Sequence, residues 1–261
     1  MVYFTFENLE AAGVVRHALS TRIGGVSDGV FAAMNLGLHT ADDEACVREN
    51  YKLFCEAAGF DMTNIVVSDQ YHTTNIEKVI KSPNVDFFQR RHFEHVDAFV
   101  TEVKGVVLTT YFADCVPILF CDPVRRVAAN AHAGWMGTLH NMAGKMVDKM
   151  AVDFGCNPAD ILVGIGPSIS RKNFEVGAEV ADQFNNLLPF SAQFVYNSVS
   201  RADKFYIDLW EVNRQNLEAV GVLPQNIEIA GKCSFDNETH FYSHRRSGKA
   251  RGSMAAFIEL K

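Results

Sequence analysis

Apolar residues recur at helical spacing across residues 40–59. Val47, Tyr51, Phe54, Cys55 and Ala58 follow the i, i+4, i+7, i+8, i+11 rhythm of one buried face. Thr40 is the expected N-cap, with Asp42, Asp43 and Glu44 in the first turn. A second helix is expected over residues 137–155. Leu139, Met142, Met146, Val147 and Met150 make its apolar face, and Gly155 stops it. "VGAEVADQFNNLL" and "DLWEVNRQNLEAVGV" predict two more, the latter with Asp208 and Glu211 spaced as a capping box.

Between these lie short β-rich runs: "NIVVSDQYH", "DAFVTE", "GVVLTTYF", "VPILFCDP", "RRVAANAHAGW", "DILVGIGP" and "NIEIAGKC". Strands outnumber helices and often follow one another directly. That predicts an α/β (α+β) fold of packed mixed β-sheets with helices outside, not a regular βαβ repeat. No Ser- or Pro-rich linker divides the chain, so residues 1–261 are expected to form one domain. "GIGPS" lacks the third glycine and the helix start of a dinucleotide fingerprint.

Composition narrows the partners. The chain has 261 residues and a formal net charge of −7, which disfavours a nucleic-acid surface that works by neutralising phosphates. No run reaches the roughly 18 apolar residues of a membrane span. "MVYFTFENLE" has neither the basic start nor the apolar run of a signal peptide. A chain of this length has core enough without a disulfide framework, so its 6 cysteines are expected as thiols in a cytoplasmic protein.

Three residues occupy one kind of position. His72 follows a strand in "DQYHTTN", Cys115 sits in the apolar run "YFADCVPILF", and His132 ends a strand in "ANAHAGWMG". Two histidines and a cysteine suit a zinc site with its fourth place open, or a thiol nucleophile with a histidine base. The spacing alone equally fits a buried thiol and two ordinary histidines. Asp114 beside Cys115 reads as a turn-forming carboxylate, a partner of the ligands or a proton carrier. Near the C-terminus "FYSHRRSGKARG" concentrates Arg245, Arg246, Lys249 and Arg251 in an otherwise acidic chain. Guanidinium forks suit phosphate or carboxylate, although such a run is also an ordinary solvated loop. "STRIGGVSDGVFAAMNLGLHT" presents Arg22 and Asn35 on a glycine-rich loop.

Taken in order, "TRIGGVS", "MNLGLHT", "DQYH", "VDAFVT", "ADCVPILF", "AHAGWMGT", "GIGPSI", "DLWEVNRQNL" and "SHRRSGKARG" resemble one family over nearly the whole chain. It was first named polyphenol oxidase or multicopper laccase and is now regarded as purine nucleoside phosphorylase-type enzymes. The resemblance implies a layered single-domain fold and a metal site, usually zinc, on His72, Cys115 and His132. It implies phosphorolysis of adenosine, inosine and methylthioadenosine, and deamination of adenosine. Small-molecule nucleosides and phosphate are then the expected partners of a monomer or small homo-oligomer. His72, Asp114, Cys115 and His132 are the expected catalytic residues, and Arg22, Asn35, Arg245 and Arg246 the expected substrate and phosphate contacts.

Two positions depart from the family pattern. Met136 stands where the family often has Arg, so one anion contact is missing or supplied elsewhere. Thr73 stands where Gly is common, which stiffens that loop. Three other readings remain, one of them an interaction domain with a structural zinc, which would want four closed protein ligands where three are found. A copper-dependent phenol oxidase is disfavoured, because 9 histidines include no His-x-His pair, although copper would bind one such site tightly. A cysteine hydrolase would use Cys115 as nucleophile and His132 as base.

Overall fold

The computed structural model describes residues 1–83, 86–89 and 91–261. Strand Met254–Leu260 is buried along its whole length. Met254, Ala256 and Ile258 point into one core, and Ala255 and Phe257 into another. Strand Val107–Phe112 alternates in the same way, with Leu108 and Phe112 on one side and Val107 and Tyr111 on the other. A strand that is apolar on both faces must be covered on both.

That requirement sets the layers. Val15–Ser20, Met254–Leu260 and Val107–Phe112 run antiparallel, and Ile65–Val66 adds a parallel edge. The second sheet has Val116–Asp122 and Val127–Ala133 as its antiparallel centre. Leu162–Ile165 and Ala98–Thr101 flank that centre, and Ile227–Ile229 and Ile76–Lys78 form the edges. The two sheets pack face to face over Leu19, Phe99, Leu108, Leu119 and Ala256. Helix Glu44–Ala58 covers the outer face of the first sheet, with Val47, Tyr51, Phe54 and Cys55 turned inward. Helices Met142–Phe154, Ala178–Leu187 and Leu209–Ala219 cover the second. The result is the mixed, layered α/β domain that the strand order predicts.

A polar bolt crosses the apolar interface between the sheets. Buried Asn130 donates to the carbonyls of Leu108 (3.0 Å) and Ala256 (2.8 Å) and accepts from the Thr110 hydroxyl at 2.7 Å. All its partners lie in the opposite sheet, so it fixes the sliding register that methyl contacts leave free.

Several boundaries differ from the sequence reading. The first helix is capped by Asp43, whose carboxylate accepts from Ala45 N at 2.8 Å. The Thr40 hydroxyl instead donates to Gly37 O and closes a turn. The helix expected over 137–155 breaks into Trp135–Leu139 and Met142–Phe154. Asn141 lies between them at φ +59° and caps the second piece through Gly144 N. Only half of the expected capping box forms. Asp208 accepts from Glu211 N, while the Glu211 carboxylate turns to Arg214. The two expected β-rich runs on either side of Asp114 fall in different sheets. Val107–Phe112 belongs to the first sheet and Val116–Asp122 to the second, so Ala113, Asp114 and Cys115 form the corner where the chain changes sheet.

His17 is 5% exposed, and its Nε2 accepts from Phe6 N at 2.7 Å. Burial is the main cause that lowers its pKa from 6.5 to about 4. The unfolded chain therefore takes a proton between these values that the folded chain refuses. Stability is complete above pH 6.5 and falls as the pH drops towards 4, by on the order of 3 kcal/mol in full. Urea denaturation at pH 7 and pH 5 should show a larger acid loss in wild type than in His17→Gln, whose amide can still accept from Phe6 N. Equal losses in the two proteins would remove His17 from the account.

Candidate metal centre

Two buried carboxylates build the site. Asp97 precedes strand Ala98–Thr101 and is 0% exposed. Its Oδ1 accepts from His72 N at 3.0 Å and contacts His132 Nδ1 at 2.9 Å. Its Oδ2 accepts from Tyr71 N (3.1 Å), Thr73 N (2.8 Å) and the Thr73 hydroxyl (2.9 Å). Burial works to raise the Asp97 pKa, but the His132 contact and the Thr73 donors outweigh it and hold the group at about 2. The Thr73 hydroxyl gives that loop a bond to Asp97 that glycine could not. His72 itself sits at φ +60°, a conformation rare for a side-chain-bearing residue and held here by the amides on either side of it.

Asp114 is the second carboxylate, at φ +90° in the corner between the sheets. Its Oδ1 accepts from the Ser234 hydroxyl at 2.6 Å. Its Oδ2 accepts from the Ser243 hydroxyl (3.0 Å) and Arg245 N (2.6 Å). Three donors make it an anchor that ties Ser234 and the segment after residue 242 to the Cys115 corner.

Cys115 and the two histidines converge. One ligand atom from each of His72, Cys115 and His132 lies within 4.8 Å of the other two. Cys115 Sγ is 3.7 Å from His72 Nε2. With Zn–S near 2.3 Å and Zn–N near 2.05 Å, a tetrahedral S–N edge is about 3.5 Å, so the spacing fits one zinc-sized ion. Asp97 holds His132 through Nδ1 and leaves Nε2 for the site. Burial opposes ionisation of Cys115, but His132 and His72 overcome it and pull the thiol down. The Cys115 sulfur and Asp97 raise His132 against its own burial. A thiolate between two imidazoles is a donor set for zinc. Gly134 is required where the chain passes this cluster. A Cβ there would meet the His72 ring at 2.7 Å and Cys115 Sγ at 3.1 Å.

The cluster opens onto two adjoining cavities that share His72, Cys115, His244 and Arg251. One, of about 380 Å³, is walled by Trp135, Met136, Ile169, Phe174 and Leu209. Met136 makes that wall apolar where an arginine would have charged it. The other, of about 550 Å³, is the more polar of the two, with Thr40, Gln70, Tyr111 and Lys249 around it beside Leu38 and Phe112. Gln70 is held by paired bonds with the Tyr111 backbone, at 2.6 and 2.9 Å.

The arginines divide differently from the sequence expectation. Arg245 edges the apolar cavity beside Phe174 and donates to the carbonyls of Asn173 and Glu175. Arg246 reaches neither cavity, because its guanidinium bonds the carbonyls of Ser234, Phe235 and Phe241. Arg22 stacks on Tyr242 and donates to Ala32 O and Glu238 O. Asn35 is fully buried and bonds Thr40, Asp42, Gly37 N and Ser253 N. These three hold loops together and offer no free donor to a cavity. Asp97 escaped the sequence reading. Its one signal is a carboxylate directly abutting a run of apolar strand residues.

A family model described as multi-copper polyphenol oxidoreductase laccase matches residues 16–261. The chain belongs to that family. Within it, the chain is 36% identical to the purine nucleoside phosphorylase YlmD of Bacillus subtilis, over 93% of this chain and 87% of that protein. It is 34% identical to the purine nucleoside phosphorylase YfiH of Escherichia coli, over 92% of each. The crystal structure of the Bacillus licheniformis hypothetical protein YfiH superposes with a TM-score of 0.89 at 35% identity, over 95% of this chain and 93% of that one. The resemblance read from the motifs is thus borne out for family and fold.

Asp97→Asn preserves size but removes the charge that orients His132. Metal affinity, measured by competition with a chromogenic chelator, should fall 10- to 100-fold. Unchanged affinity would reduce Asp97 to a loop clasp.

Proposed function

We propose that this protein is a zinc-dependent purine nucleoside phosphorylase of the cytoplasm, a monomer or small homo-oligomer, acting on adenosine, inosine and S-methyl-5′-thioadenosine and also deaminating adenosine. One observation carries the reading: the His72–Cys115–His132 cluster opens where an apolar cavity meets a polar, basic one. A purine is flat and mostly apolar, and ribose and phosphate are not. The names of the B. subtilis and E. coli relatives agree with this reading. Six free cysteines fit a reducing compartment, and among the described residues no helix is long and apolar enough to cross a membrane.

Phosphorolysis breaks the bond from ribose C1′ to the purine nitrogen and forms a C1′–O bond to phosphate. The glycosidic electron pair leaves with the base, which takes up the proton that hydrogen phosphate brings. Trp135 and Phe174 provide the aromatic walls for the base, and Arg245 closes that wall. Asp97 keeps His72 and His132 fixed, so no reorganisation is needed as charge develops. Zinc, when bound, supplies a Lewis acid where the two cavities meet.

The line Asp97–His132–Cys115 also favours a second reading, the cysteine hydrolase. The phenol oxidase named in the family description asks for several coppers. Among the described residues, His72, Cys115 and His132 are the single such group of three ligands.

The metal-replete protein incubated with a nucleoside panel, with and without phosphate, should release free purine and ribose 1-phosphate only when phosphate is present. Adenosine alone should yield inosine and ammonia. About one zinc per chain should be lost in Cys115→Ala, and zinc should protect Cys115 from iodoacetamide until it is chelated. Rapid labelling of the metallated protein, with no nucleoside consumed, would bring the hydrolase reading forward.

A further inference from the structure

Among the described residues, Arg251 is the one guanidinium shared by both cavities. Its Nη1 donates to Gly252 O (2.8 Å) and the Ser253 hydroxyl (2.9 Å), two neighbours in its own segment. Its Nε is buried without a hydrogen-bond partner, and no carboxylate pairs with it among the described residues. The Nε atoms of Arg91 and Arg246 are also buried without a hydrogen bond, but each lies within ion-pair range of a carboxylate, Asp69 at 3.6 Å and Glu238 at 3.8 Å. Arg16 is paired with Glu259, Arg214 with Glu211 and Glu218, and Arg246 with three carbonyls. A guanidinium that loses water without gaining an anion is an unbalanced charge.

The segment that carries Arg251 is fixed from behind. A Cβ on Gly252 would meet the Tyr242 ring at 2.6 Å and Asn35 Oδ1 at 2.9 Å, so the backbone there lies flat on both. Asn35 Oδ1 accepts from Ser253 N, and Leu36 N donates to Ser253 O. Arg251 is therefore presented to the cavities by a rigid backing. The polar cavity adds Lys249, His244 and the Thr40 hydroxyl, and no carboxylate lines it. Asp69 is paired with His39 and Arg91. Asp114 lines the apolar cavity, and its oxygens already hold three donors. Within a chain of net charge −7, this cavity is a basic enclave.

We propose that the polar cavity is a subsite for a tetrahedral oxyanion, inorganic phosphate, anchored by Arg251 with Lys249 at its rim. The apolar cavity is then left to the purine. Arg245 and Arg246, the pair that the sequence points to, do not hold the phosphate. The choice of phosphate over another oxyanion rests on the phosphorylase reading; the anion subsite itself rests on the geometry. The attacking oxygen is thus delivered from the Arg251 side, across the sugar from the base.

The test uses the full-length, metal-replete protein. Binding of inorganic phosphate alone is measured by titration calorimetry in wild type, Arg251→Met, Arg251→Lys and Arg246→Lys. Melting temperature and zinc content are recorded for each. Arg251→Met should weaken phosphate at least 30-fold with zinc content unchanged. Arg251→Lys should retain part of the binding, because a point charge replaces the fork. Arg246→Lys should change melting temperature more than phosphate affinity. In turnover assays Arg251→Met should raise the phosphate KM by a similar factor and leave the nucleoside KM within about threefold. Near-wild-type phosphate binding in a folded, zinc-loaded Arg251→Met overturns the proposal, even if nucleosides are turned over. Phosphate binding lost in that variant, in a protein that consumes no nucleoside, upholds the anion subsite and overturns the phosphorylase reading instead.

Discussion

The carboxylate of Asp97 is the contact on which the site depends. Two histidines that converge on Cys115 come from unrelated parts of the chain, one from the loop after Ser68–Asp69 and one from the end of Val127–Ala133. Asp97 joins them with one oxygen, and with the other it gathers the amides of Tyr71 and Thr73. Its own carbonyl accepts from His132 N at 2.8 Å, so side chain and backbone hold the same residue. A fully buried charge without partners would be strongly destabilising. Here every lone pair has a donor, and the charge sets geometry at little net loss. The left-handed backbone at His72 persists because these bonds over-determine it.

Asp114 repeats this solution on the other side of Cys115. It too has positive φ, and it too is saturated by donors from distant segments, Ser234, Ser243 and Arg245. The thiol lies where the chain leaves one sheet for the other, and the corner needs a residue that tolerates the turn and ties it down. Aspartate does both, since its short side chain accepts bonds locally and tolerates positive φ. The run that looks like a strand with a misplaced charge is therefore a strand, a corner and a second strand. The charge marks the corner.

This explains how far the sequence could be read. Periodicity located the helices and strands because the layers demand one-sided or two-sided burial, and that demand is written in the apolar positions. The three residues that cluster were legible from motif context, since each sits at a strand end or corner. The asymmetries that depend on a partner far along the chain were not legible. Thr40 and Asp43 look alike as caps, and the preference for Asp43 follows from Thr40 being taken by Gly37 and Asn35. Glu211 had two choices, and Arg214 one turn on competed successfully with the backbone. Asp97 looks like any acidic residue before a strand until residues 71–73 and 132 are brought to it.

The arginines make the same point about function. Five of them fall in the motifs that the family resemblance rests on, and composition treats them alike. Arg22 and Arg246 are enclosed by carbonyl oxygens, which satisfy a guanidinium without neutralising it. Their positive charges stay. Arg245 is half enclosed, with two carbonyls on one nitrogen and Phe174 beneath its plane. Arg251 is the least satisfied, and it alone reaches both cavities. A protein that must bind an anion repeatedly and let it go has reason to leave one guanidinium under-bonded. A carboxylate partner would compete with every substrate phosphate that arrives, whereas a rigid backing of Gly252, Ser253 and Asn35 fixes the direction of the fork without filling it. The same logic separates the two cavities. Asp114 lines only the apolar cavity, whereas the other holds Lys249 and Arg251 with no carboxylate among its described lining residues, so the positive charge lies on that side of the metal cluster.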